Sequence, residues 1–205
     1  MRHEEFLDPY LPKNRQRLAI NVGAHDGLWA SKFSALFDNV IAIEAHPEYA
    51  SKLRKLGLDN VEVMEAAGWI CSGQRMEFNI RDGRPMESAL KVRDLLRNDQ
   101  ISRTIEAPTI SIDDIPKQAC DLIWVDVEGA EVQVMMGATL TVEAFHPQLV
   151  IECHEIEHRN WLETWLRRAG YNLAVVHNPN HEQNDSRWDR NTHLIAQHWR
   201  FRGTW

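Results

Sequence analysis

Carboxylates, imidazoles and glycines recur at the ends of apolar runs in this chain. Leu18-Ala19-Ile20 leads into Asn21, then into the turn Gly23-Ala24-His25-Asp26-Gly27. Val40-Ile41-Ala42-Ile43 ends in Glu44, and Val61-Glu62-Val63-Met64 runs into Glu65-Ala66. Leu122-Ile123-Trp124-Val125 ends in Asp126 with Glu128 just beyond, and Leu149-Val150-Ile151 ends in Glu152 and His154. A strand that stops in a glycine turn and opens a helix is a ligand-binding device. Its free N–H groups face an anion or a polar ligand edge, and the missing side chains let that ligand reach the backbone. The spacing here is Asn-x-Gly-x-x-x-Gly. It is not the Gly-x-Gly-x-x-Gly of dinucleotide sites, where each glycine serves the pyrophosphate. A nucleoside without pyrophosphate does not need that tight turn. Glu44, about twenty residues after the turn, can accept both hydroxyls of a ribose. The bland readings stand beside these: a strand-end carboxylate is often a helix N-cap, and many α/β proteins have a glycine turn after a strand with no ligand.

Proton-transfer chemistry points to Asp126 and His154. Either could act as a base at the ligand-binding edge of a sheet, or Asp126 could orient His154. Asp126 could instead cap the helix that opens near Gly129. His154 is open to three readings: a base or substrate contact, a metal ligand with Asp126 or Glu128, or a structural histidine. Glu128 and Glu131 flank a glycine at a helix start, where negative charge is favourable in any case. His154-Glu155-Ile156-Glu157-His158 also fits His-Glu-x-x-His, the pattern of a zinc-dependent hydrolase. That chemistry needs both histidines on one helix face, whereas Pro147 and the apolar run predict a strand reaching His154 directly. No third zinc ligand follows at a suitable spacing, so no metal ligands are assigned.

The elements that would hold these residues alternate. The patterning predicts strands at 18–22, 40–43 and 61–64, a helix over 28–36, and another over 47–56 with Pro47 in its first turn. Further on it predicts strands at 75–80, 104–112, 122–125 and 149–151, and helices at 89–97, 130–136 and 161–169. Residues 173–176 and 193–196 could pair as a hairpin. The polar segment 178–191 between them carries His181, Asn184, Asp185 and Trp188, at a position suited to a substrate lid. Residues 1–15, broken by Pro9 and Pro12, read as an N-terminal arm or short helix, and 16–205 as one domain. Strand–helix alternation implies βαβ units: an α/β fold with a mostly parallel twisted sheet, helices on both faces and a terminal antiparallel hairpin.

The chain's bulk properties narrow the class. With 205 residues, 43% of them hydrophobic, it can build a substantial core. A net charge of -7 excludes a broad nucleic-acid surface. No apolar run approaches a membrane span, and Met1–Glu5 shows no signal-peptide core, so a cytoplasmic location is expected. The three cysteines, Cys71, Cys120 and Cys153, suit free thiols in a reducing compartment.

Five segments together resemble the FkbM-type methyltransferases, a branch of the class I S-adenosylmethionine-dependent fold. They are Asn21-Val22-Gly23-Ala24-His25-Asp26-Gly27, Ile43-Glu44-Ala45-His46-Pro47, Ser111-Ile112-Asp113-Asp114-Ile115, Asp126-Val127-Glu128-Gly129-Ala130-Glu131 and Pro147-Gln148-Leu149-Val150-Ile151-Glu152. Their order covers about residues 18 to 155. The resemblance implies a Rossmann-like fold, S-adenosyl-L-methionine as cofactor, and O-methylation of a hydroxyl on a small molecule or sugar. It implies that Glu44 holds the ribose. The cofactor is expected to touch Asn21, Gly23, Ala24, His25, Asp26, Glu44, Ala45 and Ala66. Substrate contacts are expected from Glu128, Ser88 and Trp188. The family's first motif usually starts with Asp, where this chain has Asn21. It usually places Lys two residues before Asp126, where this chain has Trp124. These departures would remove a charge near the methionine end of the cofactor and a cation near the reaction centre. The alternatives are a zinc-dependent hydrolase and a nucleoside-binding domain without catalysis.

Overall fold

The computed structural model describes residues 5–81, 88–90, 101–177, 179 and 192–199. The strands are β1 (Gln16–Val22), β2 (Phe37–Ile43), β3 (Val61–Met64), β4 (Ala67–Gly68), β5 (Arg75–Ile80), β6 (Ala89–Leu90), β7 (Arg103–Ile110), β8 (Leu122–Val125), β9 (Gln148–Cys153), β10 (Tyr171–His177) and β11 (Thr192–His198). The α-helices are α1 (Leu28–Leu36), α2 (Pro47–Lys55), α3 (Glu131–Met136), α4 (Thr139–Phe145) and α5 (Ile156–Arg168), and a 3-10 helix spans Glu5–Tyr10.

Seven strands form the main sheet in the order β10-β11-β9-β8-β1-β2-β3. The pairs β3–β2, β2–β1, β1–β8 and β8–β9 are parallel, and β11 joins β9 and β10 antiparallel. The chain fills one half of the sheet outward from β1 and the other half outward from β8. Strand order therefore reverses between those two strands, and ligands of such sheets bind beyond the strand ends at that crevice.

Side-chain alternation sorts the strands onto two cores. Ile20, Val22, Ile123, Val125 and Ile151 pack with Val134 and Met135 of α3, Val142 of α4, and Leu162 and Leu166 of α5. Ala19, Trp124, Val150 and Ile195 face the other way, against Trp29 and Phe33 of α1 and the fully buried Leu7 of the 3-10 helix. The sheet is thus covered on both faces, as long buried strands of this kind require. α2 illustrates local coding. His46 caps it by accepting the Glu48 N–H at Nδ1, Pro47 opens it, and Lys52, Arg54 and Lys55 sit at its negative end. No helix among the described residues is long and apolar enough to cross a membrane.

The structure departs from the sequence reading in several places; the strand expected over 104–112 ends at Ile110, and Ile112 opens a 3-10 turn. β4, β7, β5 and β6 form a separate four-stranded sheet. Ala89 and Leu90, read as the start of a helix, pair with Asn79 and Phe78 as β6; the rest of that expected helix lies outside the described residues. α4 was not expected, and it depends on a remote cap: Asp113 accepts the N–H groups of Leu140 and Thr141. α5 starts at Ile156, earlier than position 161.

Candidate active site at the β1–β8 crevice

One cavity lies at the crevice, lined among others by Gly23, His25, Glu44, Ala45, Ala66, Ser88, Asp126 and Glu128. Glu44 is its anchor on the β2 side. The side chain is 6% exposed. Its Oε2 accepts the His25 N–H and its Oε1 accepts the His46 N–H, both at 2.7 Å. Burial pushes the Glu44 pKa upward, and the N–H groups of His46, His25 and Ala45 oppose that rise. Each carboxylate oxygen keeps acceptor capacity after one backbone bond. The carboxylate is therefore fixed in place and still able to accept a pair of hydroxyls. His25 reaches this position in a left-handed conformation, φ 47°, with its ring against Tyr49. Such strain in a residue other than glycine persists only where surrounding structure imposes it.

Gly23 has a different role from the one its type suggests. Its φ is +78°, and a Cβ built there would lie 1.7 Å from the Asp126 carbonyl oxygen. The missing side chain lets the first turn pass the end of β8, so that Asp126 N–H reaches the Val22 carbonyl at 3.0 Å. Glycine at 23 thus closes the crevice between the two strands, as well as lining the cavity.

The opposite wall carries a cluster of carboxylates and imidazoles. Its centre is Glu131, a fully buried residue at the start of α3. Glu131 Oε1 lies 2.6 Å from His154 Nδ1 and accepts the Gly129 N–H at 2.9 Å; Oε2 lies 2.7 Å from His158 Nδ1. Burial disfavours the Glu131 charge, but the hydrogen bonds from His154 and His158 outweigh it and hold the pKa well below the ordinary carboxylate value. The other edge of the His154 ring faces three more acids. Nε2 stands 3.3 Å from Glu128, 3.7 Å from Asp126 and 3.9 Å from Glu152. Burial opposes a charge on His154, yet the field of Glu128 and the hydrogen bonds to Glu128 and Glu131 raise its pKa well above 6.5. Glu152 is fixed from β11, where His193 Nε2 lies 3.3 Å from its Oε2. Burial disfavours its charge too, and His193 followed by His154 bring its pKa down. Glu128 sits at φ 52°, a second strained residue on the cavity wall.

The expected site residues separate into groups. Gly23, His25, Glu44, Ala45, Ala66, Ser88, Asp126 and Glu128 line the cavity. His154 stands behind that wall, reaching Asp126 and Glu128 through Nε2. Asn21, Ala24 and Asp26 are not part of the wall formed by the described residues. The alternation of β1 turns Asn21 away, and Ala24 packs with Ala30 and Leu53. Asp26 is exposed and accepts the Leu28 N–H at the start of α1. Trp188 and the whole expected lid, 178–191, apart from Pro179, lie outside the described residues. Asp126 is no helix cap: α3 starts after Ala130 without a side-chain cap. Sequence reasoning passed over Phe6 and His193, which also line the cavity and meet edge to face. No local motif marks either one, because the His193–Glu152 pairing exists only once β11 has docked on β9.

The two departures from the family pattern lie next to each other. Asn21 and Trp124 are register partners across β1 and β8. Both are buried, Trp124 packs against Trp29 with tilted rings at 3.9 Å between centroids, and neither lines the cavity. An Asp and a Lys at these positions would lie side by side on adjacent strands. Both positions lie in the core, Trp124 against α1, and away from the cavity wall formed by the described residues.

His154 follows β9 and precedes α5, so the His-Glu-x-x-His segment does not lie on one helix. Both of its imidazoles turn their Nδ1 atoms to Glu131.

A family model described as the methyltransferase FkbM domain matches residues 21–173. No curated protein matches the chain. Among solved structures, the methyltransferase FkbM from Methylobacillus flagellatus KT superposes with a TM-score of 0.67 at 16% identity, over 93% of this chain and 46% of that one. SMU.1697c from Streptococcus mutans, in complex with SAH, gives 0.53 at 11% identity, over 96% and 98%. Aeropyrum pernix fibrillarin, with natively bound S-adenosyl-L-methionine, gives 0.52 at 14%, over 91% and 68%. These likenesses show the class I methyltransferase fold. The chain spans about half the length of the Methylobacillus protein.

Proposed function

Since this chain belongs to the FkbM methyltransferase family, we propose that it transfers a methyl group from S-adenosyl-L-methionine to a hydroxyl oxygen of a small molecule or sugar. The observation that carries this reading is the placing of Glu44 and the Asp126–Glu128 pair on the wall of the same cavity. A nucleoside-binding anchor and a proton acceptor stand on either side of the point where strand order reverses.

The residues present suit the cofactor. Glu44 is a buried carboxylate, locked by two backbone N–H groups and still able to take the ribose hydroxyls. Ala45, Ala66, Ala67 and Gly68 keep the adjoining wall small and apolar, and His46 and Phe78 add aromatic surface for a base. When bound, S-adenosyl-L-methionine supplies an electrophilic methyl group on a sulfonium. The chain's own residues do the rest. The cavity positions the acceptor and excludes water. Asp126 takes the hydroxyl proton, and His154, held by Glu131, sets the field at Asp126 and Glu128.

The reading of a nucleoside-binding domain without catalysis rested on Asn21 and Trp124, and both lie off the cavity wall. The reading of a zinc-dependent hydrolase needed a shared helix face, which His154 and His158 do not have. Calorimetric titration with S-adenosylhomocysteine, followed by mass spectrometry of a hydroxylated acceptor panel for a 14 Da gain (about the mass of a CH₂ group), tests the proposal. Cofactor binding with a methylated product is expected. Binding without a product across polyols, sugars and phenols would oppose catalysis.

A further inference from the structure

We propose that Asp126, Glu152 and His154 bind a divalent cation of the first transition row on the acceptor side of the cavity. One ligand atom from each of the three lies within 4.8 Å of the others. His154 Nε2 stands 3.7 Å from Asp126 Oδ1 and 3.9 Å from Glu152 Oε1. These separations exceed hydrogen-bond length. They approach the spacing of two donors around one ion: metal–ligand distances of about 2.0–2.2 Å put neighbouring donors roughly 3.0–3.6 Å apart. A small inward movement of the two carboxylates would close the remaining gap.

The surroundings of the three residues favour an ion independently of that spacing. A metal-bound imidazole almost always gives its other ring N–H to a carboxylate. His154 does so through Nδ1, to the fully buried Glu131. Ligating carboxylates are themselves held by second partners. Glu152 meets this condition: Oε2 faces His193 and Oε1 faces the cluster. His193 is 4% exposed, lines the cavity, and has an Nδ1 without a partner among the described residues. Four carboxylates, Asp126, Glu128, Glu131 and Glu152, converge on His154. One nitrogen and two oxygens as donors suit Mn²⁺, Fe²⁺ or Zn²⁺ better than Mg²⁺ or Ca²⁺, which prefer oxygen throughout.

The cation's task rests on the methyltransferase reading, although its binding does not. Held there, it would orient the acceptor hydroxyl and lower its pKa. The hydroxyl proton passes to the Asp126 carboxylate, the oxygen bonds to the methyl carbon, and the electron pair of the broken carbon–sulfur bond stays on sulfur.

The test uses the full chain and Mn²⁺ alone, followed by electron paramagnetic resonance. One Mn²⁺ per chain is expected, and Asp126→Asn and Glu152→Gln should each weaken it at least about tenfold. Nuclear magnetic resonance on the unaltered protein locates the ion without any variant. Mn²⁺ should broaden the imidazole signals of His154 and His193 far more strongly than that of His198, at the far end of β11. No bound Mn²⁺ at millimolar concentration, or broadening that spares His154, overturns the proposal. Titration of the same samples with S-adenosylhomocysteine keeps the two claims apart. Mn²⁺ binding without nucleoside binding would uphold the cation site and sink the methyltransferase reading; the reverse would do the opposite.

Discussion

Glu131→Gln should be among the most damaging conservative changes in this protein. The side chain is fully buried and takes three hydrogen bonds, from Gly129 N–H, His154 and His158. Glutamine offers one carbonyl oxygen and one NH₂. Whichever way the amide turns, one imidazole loses its acceptor and meets a donor. Losing one charge-assisted bond costs about 1.5–3 kcal/mol. Breaking a buried ion pair on one side costs about 3–5 kcal/mol. We expect a loss of about 3 kcal/mol, with the larger figure as an upper bound. For a chain of this length each kcal/mol moves Tm by roughly 2–4 °C, which gives a fall of about 6–12 °C. Urea unfolding and thermal melts on the parent, Glu131→Gln and the exposed control Glu143→Gln would measure this. The control should stay within about 0.5 kcal/mol. If Glu131→Gln melts within about 2 °C of the parent at an unchanged urea slope, the cluster does not hold the site together.

Three other outcomes follow from the same geometry. Gly23→Ala should destabilise the protein by about 2–4 kcal/mol, because left-handed strain adds to a collision with the Asp126 carbonyl; normal urea stability would mean the crevice is looser than described. Stability should depend on pH on both sides of a plateau. The Glu131 pKa is lowered, so its contribution is present above 4.5 and lost as pH falls through the folded value; the His154 pKa is raised, so its contribution is complete below 6.5 and lost as pH rises through the folded value. Tm between pH 4 and 9 should therefore be highest at about 4.5–6.5 and flatter in Glu131→Gln, and a parent profile as flat as the variant's would contradict the charge assignment. Asp126→Asn should cut turnover by about 10²–10⁴-fold with nucleoside affinity nearly intact, and turnover within a few-fold of the parent would remove Asp126 from the chemistry.

Much of the parallel sheet could be read from the sequence because its strands are short apolar runs with polar ends. The boundaries of α1 and β8 match the reading, and Glu44 lines the cavity. What escaped notice depended on contacts distant in sequence. Ala89 and Leu90 are good helix formers, yet pairing with Phe78 and Asn79 makes them a strand. The first turn of α5 places His158 inward to meet Glu131, so its apolar periodicity is broken where the helix begins. Glu131 looked like an ordinary acidic residue at a helix start. Nothing nearby in sequence reveals that two imidazoles, 23 and 27 residues later, close on it.

The central claim is that the β1–β8 crevice binds the nucleoside of S-adenosyl-L-methionine through Glu44. Calorimetric titration of S-adenosylhomocysteine into the parent and Glu44→Gln tests it most directly. We expect binding at one per chain. The variant should lose about 1.5–3 kcal/mol, or roughly 10–160-fold in affinity, because an amide cannot serve both backbone N–H groups and both ribose hydroxyls. A folded variant that binds as tightly as the parent, or a parent that binds no nucleoside at millimolar concentration, would contradict the account.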